Sequence, residues 1–188
     1  MRLLVLVMLG ALSGLSSAGV RAHELDLSFN SDAFRFVYAN TIPDRSLRLD
    51  AGWLHNSDDG DLLHAGLQLV SNATSGPDPV VAGIGGRLAY LNGERSNQDG
   101  LALAVGGSLR MPIRGLNRFA VAGEVWYAPD VLIIDDAEEY LELILRGSYN
   151  ITRQAEVYLG ARYVRAEYQR APDFRFDTGM HLGLNLKF

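Results

Sequence analysis

The sequence predicts an all-β fold: an antiparallel up-and-down barrel that crosses a membrane with its strands. Three features of the chain lead there. Ten segments alternate apolar and polar residues with period two, the pattern of a strand with two unlike faces. The last of them, Met180-His181-Leu182-Gly183-Leu184-Asn185-Leu186-Lys187-Phe188, keeps that alternation up to a terminal aromatic. The N-terminus begins Met1-Arg2 and runs into an apolar stretch from Leu3 to Leu12. An export signal at one end and a strand finishing on Phe at the other together form the pattern of a bacterial outer-membrane barrel. Phe188, Leu186, Leu184 and Gly183 are then expected to act as its assembly signal.

Residues 1–22 read as a cleaved secretory signal peptide. Ser13 to Ala22 is small and polar and closes on Val20-Arg21-Ala22, a small-x-small site, with Ala18 the alternative cleavage point. A membrane anchor is the competing reading, but about ten apolar residues in a helix cover roughly half of the ~30 Å hydrocarbon core. Residues 23–188 then form one domain, the barrel.

The strands follow in order. Segment 24–30 puts Leu25, Leu27 and Phe29 on one face, and 33–40 does so with Phe34, Phe36 and Tyr38. Segment 46–55 sets Leu47, Leu49, Ala51 and Trp53 against Arg48, Asp50 and Gly52. Segment 61–71 sets Leu63, Ala65, Leu67 and Leu69 against His64, Gly66 and Gln68. In 79–91, Ile84, Leu88 and Tyr90 oppose Gly83, Gly85 and Arg87; in 99–111, Leu103, Val105 and Leu109 oppose Ala104, Gly106, Ser108 and Arg110. Segment 118–128 places Phe119, Val121, Val125 and Tyr127 opposite Ala122, Glu124 and Trp126. Segment 139–150 places Leu141, Leu143 and Leu145 opposite Glu142, Arg146 and Ser148. Segment 154–167 places Val157, Leu159, Ala161 and Tyr163 opposite Glu156, Tyr158, Gly160 and Arg162, and 177–188 is the tenth. Turn formers separate them: Asn30-Ser31-Asp32, Asn56-Ser57-Asp58-Asp59-Gly60, Gly76-Pro77-Asp78-Pro79, Asn92-Gly93 and Ala171-Pro172-Asp173. Residues 129–139 are the one irregular insertion. Sequential hairpins of this kind close as an up-and-down barrel.

A water-soluble barrel turns its apolar face inward, and a membrane barrel turns it outward. Three features favour the membrane sense over a soluble, lipocalin-like barrel. The polar face is rich in glycine, as a narrow lumen requires. It carries both charge signs, with Asp50, Glu124, Glu142 and Glu156 against Arg48, Arg87, Arg110, Arg146 and Arg162. Aromatics such as Tyr38, Trp53, Tyr90, Phe119, Tyr127, Tyr149, Tyr163 and Phe188 sit near the segment ends, as interfacial girdles do. A mean hydropathy near zero fits as well, because lipid-facing and lumen-facing residues cancel. With a periplasmic C-terminus, the connections at 30–32, 56–60, 92–99, 128–138 and 168–176 face outside. Those at 41–45, 72–78, 112–117 and 150–153 face the periplasm. The first two segments are short, so an eight-stranded barrel with a separate N-terminal hairpin stands beside the ten-stranded one.

The nine charged polar-face residues just named are expected to form an ion-pair network in the lumen. Glu124, Glu142, Arg110 and Arg146, on three consecutive strands, are expected to form one interior ion-pair network. A lumen plugged by such pairs gives a structural envelope protein, and an open one gives a narrow channel for ions or small polar solutes. A third reading is an enzyme acting on lipid A. Its candidate groups are His64, His181, Ser108, Ser148, Glu124 and Glu142, with Ser57 beside His64, but no spacing pairs a nucleophile with a base. No catalytic residue is therefore assigned.

Other chemistry is excluded or unsupported. The chain has no cysteine, so it carries no disulfide, thiolate metal site or lipoprotein anchor. Its net charge is −5 and it has no basic block, which argues against nucleic acid as a partner. Asn56-Ser57-Asp58-Asp59-Gly60-Asp61 is acidic but lacks the glutamate spacing of a calcium loop. Asn72-Ala73-Thr74 and Asn150-Ile151-Thr152 match a glycosylation sequon without meaning in a bacterium. Neither a metal nor a cofactor is expected.

The chain resembles the YfaZ family of small proteobacterial outer-membrane proteins. The resemblance rests on His23-Glu24-Leu25-Asp26-Leu27-Ser28-Phe29-Asn30-Ser31-Asp32-Ala33, Asp61-Leu62-Leu63-His64-Ala65-Gly66-Leu67 and Gly85-Gly86-Arg87-Leu88-Ala89-Tyr90-Leu91. It continues with Tyr127-Ala128-Pro129, Tyr140-Leu141-Glu142, Val157-Tyr158-Leu159-Gly160 and Gly179-Met180-His181-Leu182-Gly183. It implies a location in the bacterial outer membrane and a barrel fold, and no chemistry. The expected partners are outer-membrane lipid and lipopolysaccharide, with the barrel-assembly machinery and periplasmic chaperones during biogenesis.

Overall fold

The computed structural model describes residues 22–93, 98–135, 137–168 and 171–188. The expected signal peptide, residues 1–22, lies outside these residues apart from Ala22, which begins the first strand. Eleven strands form one antiparallel sheet among them: β1 (Ala22–Phe29), β2 (Ala33–Ile42), β3 (Leu47–Asn56), β4 (Gly60–Asn72), β5 (Val81–Gly93), β6 (Gln98–Pro112), β7 (Phe119–Ala128), β8 (Ile133–Asp135), β9 (Ala137–Asn150), β10 (Ala155–Tyr168) and β11 (Ala171–Lys187). Each strand from β1 to β7 pairs with the next, β7 pairs with β9, and β9 to β11 continue the hairpins. β1 also pairs with β11, which closes a ten-stranded barrel. The eight-stranded alternative falls here. β1 has 8 residues and β2 has 10, and β1 is hydrogen-bonded on both sides, so the first hairpin is part of the wall.

Three connections differ from the sequence expectation. β8 pairs with β6 through Gly100–Asp135 and Ala102–Ile133, continuing the lane that β7 leaves at Ala128. The 129–139 insertion is therefore a short outward excursion, with one 3-10 turn at Asp130–Leu132, that returns to the sheet. The turn expected at Ala171-Pro172-Asp173 lies within β11, beside register shifts at Val164/Arg165 and Ala166/Tyr168. Proline has no N–H for a ladder, and a bulged strand end is where one is tolerated. β5 and β6 extend to Gly93 and Gln98 and shorten the 92–99 connection. Extra residues at the outer end thus lengthen strands rather than loops.

The faces follow the membrane sense. Leu103 is 47% exposed on the outer surface and its neighbour Ala104 is 0% exposed inside. Leu67, Leu69, Ile84, Val105, Leu145, Leu159, Met180 and Leu182 extend the outer apolar band around the barrel. A surface of that size is costly in water and suited to lipid. Trp53, Tyr90 and Tyr127 lie at its outer edge, while Phe119 and Phe188 lie at the inner edge, where β1 begins and β11 ends.

The interior glycines make room for larger neighbours. Gly66 faces Asp50 across the strand pair, and a Cβ there would lie 2.6 Å from the Asp50 carboxylate. Gly52 faces His64, Gly160 faces His181 and Gly183 faces Tyr158 in the same way. Asp50, His64, His181 and Tyr158 thus each lie over a glycine on a neighbouring strand. Gly85 and Gly106 pair with one another, and a Cβ on either would strike a neighbouring backbone carbonyl. They let the wall bend tightly between β4 and β7.

Candidate functional site: the barrel lumen

The lumen has two halves of opposite character. Near the outer ends of the strands it is filled by a continuous apolar cluster: Leu62, Leu91, Trp126, Tyr140, Val164 and Phe176, with alanines between them. Each of these six side chains is 2% exposed or less. The cluster seals the outer half among the described residues. Below it lies a cavity of about 350 Å³ that reaches the end carrying both termini. Asp26, Arg35, Asp50, Arg87, Glu124 and Arg146 line its deeper part, and Glu24, Arg48, Arg110, Glu156 and Lys187 line the mouth.

Arg87 stands where the two halves meet. Its Nη1 donates to Glu142 at 2.7 Å, and its Nη2 lies 3.2 Å from Asp50 and 3.5 Å from Glu124. Its guanidinium carbon sits 4.2 Å from the centre of the Trp126 ring, within the range of a cation–π contact. Glu142 also accepts from the Tyr140 hydroxyl at 2.7 Å and from Arg35 at 3.4 Å. One buried carboxylate therefore has three donors, which offsets the desolvation of the charge.

The remaining pairs are arranged around this hub. Arg110 donates both Nη groups to Glu156, at 3.0 and 2.7 Å, and Lys187 lies 3.8 Å from the same carboxylate. Asp26 accepts from Tyr158 at 2.6 Å, Arg146 at 3.0 Å and Asn185 at 3.3 Å. Arg162 pairs with Asp177, which also accepts from Asn30 at 2.8 Å. Arg48 donates to Glu24 at 2.6 Å.

All nine charged residues singled out in the sequence face this lumen, but the grouping differs from expectation. Arg110 does not join Glu124 or Glu142; it pairs with Glu156. Arg146 pairs with Asp26 on β1. Long side chains in a narrow barrel cross the lumen, so the partners of Arg110 and Arg146 stand on distant strands. Glu24, Asp26, Arg35, Asp177 and Lys187 complete the pairs and were not among the expected residues. Their signal was in the sequence, because Asp26 sits between Leu25 and Leu27, and Arg35 between Phe34 and Phe36. Ion pairs and apolar groups share the filling: Arg87, Glu142, Arg162 and Asp177 are buried at 2–3% exposure, the apolar cluster fills the outer half, and Glu24, Arg48, Arg110 and Lys187 line the cavity.

The hydrolytic candidates are not assembled. His64 is buried in the lumen with its Nε2 3.4 Å from Asp50, whereas Ser57 bonds the Asp32 carbonyl in an outer turn. Ser108 donates to Gln68 at 2.7 Å, and Ser148 to the Ala120 carbonyl at 3.3 Å. No group of His, Asp and Glu suited to a metal ion occurs among the described residues.

The family model described as YfaZ precursor matches residues 1–188. Outer membrane protein YfaZ of Escherichia coli (strain K12) is 34% identical over 143 residues, covering 76% of this chain and 75% of that one. Among solved structures, KdgM porin aligns over 89% of this chain and 99% of its own, at a TM-score of 0.44 and 11% identity.

Proposed function

The chain belongs to the YfaZ family of outer-membrane proteins, and from that premise we propose that it is a closed envelope barrel, with no enzymatic role, whose lumen opens only toward the periplasm. One observation carries the reading: Trp126, Tyr140, Phe176, Leu62 and Leu91 fill the outer half of the lumen at near-zero exposure. An apolar plug packed to that degree leaves no hydrated path. The ion-paired half beneath it sets opposite charges against one another beside the cavity. Outer-membrane lipid and lipopolysaccharide are the proposed surroundings. Leu184, Leu186 and Phe188, with Gly183, are the proposed contact for periplasmic chaperones and the barrel-assembly machinery.

A narrow channel is the second reading, and the 350 Å³ cavity favours it, since half of a conduit already exists. Conduction would require the Trp126 cluster to move aside. Single-channel recording in planar bilayers separates the two. The closed barrel is expected to give a trace indistinguishable from bare membrane. A steady unitary conductance in the wild type overturns the closed reading and establishes the channel.

A further inference from the structure

The outward face of β6, β7 and β9 has a chemistry that a closed lumen does not require. Two turns meet at its inner end: 113–118 between β6 and β7, and 151–154 between β9 and β10. They are joined through the backbone, with the Asn150 N–H donating to the Arg118 carbonyl at 2.8 Å. Arg114, Arg118 and Arg153 are exposed on these turns, and neither turn carries a carboxylate. Among the described residues none of the three forms an ion pair; Arg118 donates to the Tyr149 hydroxyl at 3.3 Å. Ile113, Leu116 and Ile151 are exposed beside them. Bare arginines mixed with bare aliphatics make a poor surface for water and a good one for a lipid headgroup.

The same face continues into the lipid band. Phe119 and Tyr149 pack there in a tilted pair with ring centres 5.0 Å apart. Beyond them opens a trough of about 650 Å³, floored in part by Gly107 and Gly123 and walled by Leu109, Val125, Leu143 and Leu145. A Cβ at Gly147 would meet nothing within 4 Å, so the space between Tyr149 and Gly123 is also open. Arg118 to Gly123 spans about 16 Å at ~3.3 Å per residue. One leaflet of hydrocarbon is ~15 Å deep.

We propose that this face binds one anionic phospholipid of the inner leaflet, with its phosphate on Arg114, Arg118 and Arg153 and an acyl chain in the trough. The assignment rests on the orientation that places both termini in the periplasm. Charge selects the headgroup, and the trough selects a lipid over a free anion or an acidic protein, since it is reached only from within the bilayer. Lipopolysaccharide would meet the opposite end of the barrel.

The test reconstitutes the barrel in phosphatidylcholine bilayers containing trace chain-labelled phosphatidylglycerol or, separately, chain-labelled phosphatidylcholine. Spin-label spectra read the immobilised fraction. The wild type is expected to favour phosphatidylglycerol about fivefold or more, the factor one arginine contributes toward an anionic lipid at a bilayer surface. Combined Arg114→Gln, Arg118→Gln and Arg153→Gln should bring the ratio close to unity, and the three Arg→Lys changes should largely restore it. Gly123→Leu fills the trough; its Cβ would come no nearer than 3.5 Å to the Ile144 carbonyl, so the wall tolerates it. That variant should lower the immobilised fraction without touching a charge. Inorganic phosphate in the buffer should leave the selectivity in place. Equal association in the wild type, selectivity that survives the triple Gln change, no effect of Gly123→Leu, or competition by free phosphate each overturns the proposal. Folding of every variant is checked by heat-modifiable gel migration. A barrel that conducts would leave these expectations unchanged, so the two readings fail separately.

Discussion

At Arg87 one guanidinium meets three carboxylates and an indole, and Glu142 is the closest of them. Removing one partner of a buried pair typically costs about 3–5 kcal/mol, because the other charge is left unsatisfied, whereas replacing both costs far less. Glu142→Gln should therefore destabilise the barrel by that order, and adding Arg87→Gln should recover part of the loss. Urea unfolding followed by tryptophan fluorescence measures it, and strictly additive losses would reject the coupling. The identity of the lumen residues was legible, since period two puts each of them on the polar face. Their partners were not. Sequence order suggests neighbours on adjacent strands, while the reach of arginine across a narrow lumen selects Glu142 on β9 for Arg87 on β5, and Asp26 on β1 for Arg146 on β9.

At the scale of the strand, β11 closes the barrel against β1. Phe188 exchanges backbone hydrogen bonds with His23 at 2.9 Å in both directions, and their rings stack at 5.8 Å. Barrel closure thus ends on the terminal aromatic itself. Deleting Phe188 should leave export and processing intact and impair assembly, seen as loss of the heat-modifiable folded band; normal migration would dismiss the idea. The alternation that marks β11 was readable to its last residue, but its beginning was not. Pro172 and the bulges opposite Arg165 and Tyr168 break the period and make six residues of strand look like a loop. β8 was hidden for a similar reason. Three residues paired with β6 after an outward excursion are too few to show a period.

The barrel as a whole is an asymmetric wall. Over its inner half the sheet separates lipid from a cavity lined by charged side chains. Over its outer half it has lipid on one face and the Trp126 cluster on the other. Period two does not separate the two halves, because inward positions such as Ala89, Ala102, Ala104 and Ala128 are merely small. In the structure they pack the large apolar groups. This asymmetry has a consequence for how the gene can vary. In a saturation scan, tolerance to charge should oscillate with period two along the inner halves of the strands, where Arg110 is native and Leu109 next to it must stay apolar. Along the outer halves the oscillation should flatten, because Leu103→Arg meets lipid, at roughly 2–4 kcal/mol near the bilayer midplane, and Ala104→Arg meets a packed apolar core. Equal tolerance at Ala104 and at lumen positions of the inner half would contradict this. The outer half of the barrel should therefore drift more slowly through sequence space than its lumen-facing position in a pore would suggest, and new charges should accumulate at the periplasmic end.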